Sequence, residues 1–178
     1  MTSTNEQTTR SELLTGSFRD RESAEQAYNS LLSRGYTKDD VNVIMSDDTR
    51  KRHFSETSVK TELGSKAAEG GITGATIGGV AGAIAGVLAA AGTLAIPGLG
   101  IVLAGPLAAG LAGLGAGGAA GGLIGALVGA GIPEERAKVY STDIKNGGIV
   151  VGVKPRSAED ATTLEREWTG YRGENIHR

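Results

Sequence analysis

Glycine returns at every fourth position in two separate runs, and few folds accommodate that. The first run is Gly70, Gly74, Gly78, Gly82 and Gly86; the second is Gly113, Gly117, Gly121, Gly125 and Gly129. Four residues turn an α-helix through about 400°, so each run makes a slowly drifting stripe on one helix face. A stripe without side chains lets another backbone come close, the small-xxx-small pattern by which helices dock in lipid. The whole stretch 70–131 lacks Asp, Glu, Lys, Arg and His and holds 21 of the 29 glycines. Ile96-Pro97-Gly98-Leu99-Gly100 interrupts it with a turn signal. Pro106 suits the first position of a second helix. The pattern predicts two helices, about 71–95 and about 106–131, packed antiparallel through their glycine faces.

Alone in water such helices are weak, because each interior glycine costs roughly 1 kcal/mol relative to alanine. Close packing, lipid or both must make up the difference. Each helix is long enough for a bilayer, which needs about 20 residues, and no charge opposes insertion. Two readings follow. In one, the hairpin inserts in the cell membrane and also self-associates. In the other, it buries its outer faces against copies of itself in a soluble, cytoplasmic oligomer. Lys60, Lys66, Arg136 and Lys138 flank the ends of the stretch and suit a cytoplasmic side.

The flanks read as two related halves. Leu13–Phe18 is a short strand, and Ser23 with Gln26 three residues on suggests a capping box. Ala24, Ala27, Tyr28, Leu31 and Leu32 recur at helical spacing up to Gly35, and Val41–Met45 is a second strand. In the other flank, Pro133 opens a helix carrying Ala137, Tyr140 and Ile144, and Ile149–Val153 is the clearest strand. Ser157 begins a helix with Ala158, Ala161, Leu164 and Trp168 inward, and Asn175-Ile176-His177 is a short closing strand. Ser23-Ala24-Glu25-Gln26-Ala27 parallels Ser157-Ala158-Glu159-Asp160-Ala161. Two such halves around one sheet predict an α+β, ferredoxin-like split β-α-β sandwich interrupted by an inserted antiparallel glycine-zipper helical hairpin. The expected divisions are a disordered tail at 1–11, the first half at 12–45, a polar linker at 46–69, the hairpin at 70–131 and the second half at 132–178.

These residues carry a resemblance. Gly16-Ser17-Phe18, the helix from Ala24 to Gly35 and the strand Val41–Met45 resemble the general stress protein 17M-like domain. The glycine-zipper hairpin, followed by Ile132-Pro133-Glu134-Glu135 and Gly148–Val153, is similar to bacterial low-temperature-induced and general-stress proteins of that group. The resemblance implies a stress-associated bacterial protein and transfers no catalytic or ligand-binding residue.

Chemistry is sparse. There is no cysteine, so neither a disulfide nor a thiolate site exists. The net charge of -2 and a pI near 5.7 argue against a nucleic-acid partner. The N-terminus is polar and lacks the apolar core of a secretory signal. His53 and His177 are the only histidines, and a metal site needs three or four convergent ligands. Asp39-Asp40 and Asp47-Asp48 bracket the second strand and read as solvated loop acids. Arg50-Lys51-Arg52-His53 reads as a solvated loop or as a contact for anionic headgroups. Gly113-Leu114-Gly115-Ala116-Gly117-Gly118 matches G-x-G-x-x-G but lacks the preceding strand that a dinucleotide site needs. Trp168, Tyr28 and Tyr140 read as core. The expectation is a non-enzymatic protein without cofactor or metal, whose partners are itself and membrane lipid. A small-ligand sensor is the third reading, by fold analogy alone.

Overall fold

The computed structural model describes residues 13–54, 82–90, 94–96, 98–113, 122–129 and 131–178. It is an α+β protein, with six strands and seven helices among the described residues. In chain order these are β1 (Leu14–Phe18), α1 (Arg21–Ser33), β2 (Val41–Ser46), α2 (Asp47–Phe54), α3 (Ala83–Ala90), β3 (Leu94–Ile96), β4 (Ile101–Ala104), α4 (Pro106–Gly113), α5 (Gly122–Gly129), α6 (Glu134–Lys145), β5 (Ile149–Val153), α7 (Ala158–Gly170) and β6 (Glu174–His177).

The strands form one sheet in the order β3-β4-β2-β5-β1-β6, and every neighbouring pair is antiparallel. β5 lies between β1 and β2, so the β1-α1-β2 connection passes over a strand supplied from far along the chain. The β5-α7-β6 connection likewise passes over β1.

Successive strand residues point to opposite faces, and here both faces are covered. Leu14, Phe18, Val41, Val43, Met45, Val151 and Val153 pack with α1, α3 and α7 in one core. Ile44, Leu103 and Val150 pack with α4, α5 and α6 in the other. Burial on both sides explains why β5 is an almost unbroken apolar run. The largest buried side chain, Trp168, meets Phe18 edge-on at 5.8 Å. At the rim, Arg34 pairs with Glu167, Tyr36 donates to Asp160, and the Arg156 guanidinium lies 4.3 Å from the Tyr36 ring centroid. These contacts tie the end of α1 to both ends of α7.

Local caps decide several boundaries. Ser157 accepts from the Asp160 N–H at 3.1 Å, as its position before α7 suggests. The α1 cap is Asp20 rather than Ser23: its carboxylate accepts from the Ser23 N–H at 2.9 Å. The linker expected from residue 46 starts as helix α2, because the Ser46 hydroxyl accepts from the Thr49 N–H at 3.0 Å.

The central stretch departs most from expectation. Residues 94–96 and 101–104 are strands of a β-hairpin, with 98–100 as its turn, where the helix 71–95 and its connection were expected. The cause is the edge of β2: its backbone groups from Val43 to Ser46 pair with β4, as Val43↔Ala104 through Ser46↔Ile101. The described helices of the stretch also part company. α3 contributes Ile84 and Val87 to the first core, whereas α4 and α5 contribute Ala108, Leu123 and Leu127 to the second. The sheet separates them, so these helices do not form the expected antiparallel pair. The tail 1–11 and residues 55–69 lie outside the described residues.

Candidate functional site at the roots of the glycine-rich stretch

Two buried polar side chains receive the glycine-rich stretch, one on each side of the sheet. Glu25 lies on the inward face of α1 and is 1% exposed. Its carboxylate accepts from the Ile84 N–H at 3.2 Å. The first N–H groups of a helix have no intrahelical acceptor, so a carboxylate from a distant helix caps α3. The Arg21 guanidinium lies 3.7 Å from the other Glu25 oxygen and over the Phe54 ring at 5.2 Å. Burial raises the Glu25 pKa above the ordinary carboxylate value; the Ile84 N–H and the Arg21 charge oppose that rise. One helical turn on, the Tyr28 hydroxyl is buried without a hydrogen-bond partner among the described residues. Its pKa is pushed up to about 12, first by burial and then by the charges of Glu25 and Asp39.

On the opposite face, Asn42 interrupts the apolar run of β2. Its side-chain oxygen accepts from the Leu107 N–H at 2.8 Å in the first turn of α4, and its amide donates to the Gly152 carbonyl at 3.4 Å. Gly105 makes the approach of α4 feasible. Its φ is +94°, and a Cβ there would stand 2.1 Å from the Val41 carbonyl oxygen. A third tie joins the hairpin turn to α2, where the Asp47 N–H donates to the Gly100 carbonyl at 2.8 Å.

Five of the ten candidate glycines lie among the described residues. Gly82 precedes α3, Gly86 lies within it, Gly113 ends α4, and Gly125 and Gly129 lie in α5. Gly86 and Gly129 are exposed, and a Cβ on Gly86 would meet nothing within 4 Å. Gly70, Gly74, Gly78, Gly117 and Gly121 lie outside the described residues.

The other candidates occupy separate places. His53 is in α2 and His177 in β6, and no group of three potential metal ligands occurs among the described residues. Asp40 accepts from the N–H and hydroxyl of Thr37, both at 2.8 Å, which holds its carboxyl below the ordinary value. Asp47 is helical rather than in a loop and pairs with Arg50 and Lys51. That one carboxylate offsets one of the three cationic charges in the basic cluster read as a headgroup contact. Lys138 pairs with Glu134. Trp168, Tyr28 and Tyr140 are core.

Glu25 and Asn42 did not figure among the sequence candidates. Asn42 does carry a signal, being the lone polar residue in Val41–Met45. Glu25 carries a fainter one, since it adjoins the apolar stripe of α1 beside Ala24 and Tyr28.

No helix among the described residues is long and apolar enough to cross a membrane. No family model, curated protein or solved structure matches the chain. Fold and roots together define an α+β protein with a six-stranded antiparallel sheet, whose glycine-rich stretch is built into both of its cores.

Proposed function

We propose that this is a non-enzymatic bacterial stress-response protein in which a ferredoxin-like sandwich carries a glycine-rich insertion that binds membrane lipid and copies of the same chain. The strand order β6-β1-β5-β2, with α1 and α7 on one face, supports the ferredoxin-like reading. In that reading α3, the β3–β4 hairpin, α4 and α5 are the insertion, and the sandwich faces the cytoplasm.

One observation carries the proposal. The insertion turns Ile84, Val87, Leu123 and Leu127 into the domain, while Gly86 on α3 and Gly129 on α5, the latter beside the exposed Val128, are left outward on opposite sides of the sheet. An outward small-residue face gives a second helix a close approach. Carbonate extraction of cells at native expression tests the membrane part. The protein should stay with the membrane fraction; complete recovery in the supernatant overturns insertion.

A second reading, a soluble homo-oligomer, is favoured by the absence of a membrane-length helix among the described residues. Light scattering without detergent separates the two. A monodisperse large species supports the soluble assembly, whereas aggregation that detergent relieves supports the membrane protein. Gly86→Leu fills the outward face and should reduce self-association in either case.

A further inference from the structure

We draw no further inference here: the strongest candidate, the buried side-chain cluster of Glu25 and Tyr28 on the inward face of α1, belongs to the site already described, and a switch built on it would rest on the raised pKa values alone.

Discussion

The Glu25 carboxylate accepts from the Ile84 N–H at 3.2 Å across 59 positions of sequence. It thereby couples the docking of α3 to the ionisation of one buried acid. Because burial raises its folded pKa, the native state holds this proton more tightly than the unfolded chain. The stability so gained is complete below the ordinary carboxylate value and is lost as pH rises through the raised folded value. Glu25→Gln keeps an acceptor and removes the titration. Urea midpoints measured from about pH 4 to 7 should fall more steeply for the wild type than for Glu25→Gln. Parallel profiles would refute the coupling. Glu25→Leu leaves the Ile84 N–H buried without an acceptor and should cost about 1–3 kcal/mol, with faster amide exchange in α3.

Two glycines should respond oppositely to the same added methyl group. At Gly105 the Cβ meets the Val41 carbonyl oxygen at 2.1 Å and φ is +94°, so Gly105→Ala combines overpacking with a left-handed backbone. The expected loss is about 3 kcal/mol or more. At Gly86 the Cβ enters open space on an exposed helix face. Gly86→Ala should gain up to about 1 kcal/mol from helix propensity alone. Urea unfolding of the two variants checks both signs. Equal effects would mean that the close approach of β2 to the β4–α4 junction is misplaced.

Asn42 holds α4 as Glu25 holds α3, but without a charge. Asn42→Ala removes the acceptor for the Leu107 N–H and the donor to the Gly152 carbonyl. The expected cost is about 1–2 kcal/mol, the range of a lost helix cap. Amide exchange should accelerate first at residues 107–109. If those amides keep wild-type protection while stability falls, the side chain acts through β5 instead.

How far residues announce these arrangements depends on whether the deciding force is local. The stripes of α1 and α7, the Ser157 cap and the runs Val41–Met45 and Ile149–Val153 are local patterns, and the corresponding elements form. Ile101-Val102-Leu103-Ala104 is a short apolar run that periodicity assigns equally to helix or strand. The free edge of β2 decides it, and that edge exists only after the fold is assembled. Helix α2 has little apolar patterning and is started by Ser46, a cap signal lying in what reads as a polar linker. The glycine period conceals a different kind of fact. Spacing shows that a face is bare, but not what lies opposite it, and the sheet turns out to stand between α3 and α5.

One tyrosine hydroxyl joins the last strand to two other elements. The Tyr140 oxygen lies 2.7 Å from both the Thr15 hydroxyl and the Asn175 carbonyl, bridging α6, β1 and β6. It donates to the carbonyl at a residue whose φ is +50°, beside the register shift between β1 and β6. Tyr140→Phe should cost about 1 kcal/mol and speed exchange in β6 while leaving α3 protected. Burial also raises the Tyr140 pKa above its ordinary value of 10. The native state therefore resists its ionisation, and stability is lost as pH climbs from that ordinary value through the raised one. The Phe variant should show a shallower alkaline decline, with the remainder owed to Tyr28 and Tyr36, whose values are also raised. An alkaline profile superimposable on the wild type, together with unchanged β6 exchange, would show that the hydroxyl does not anchor the strand.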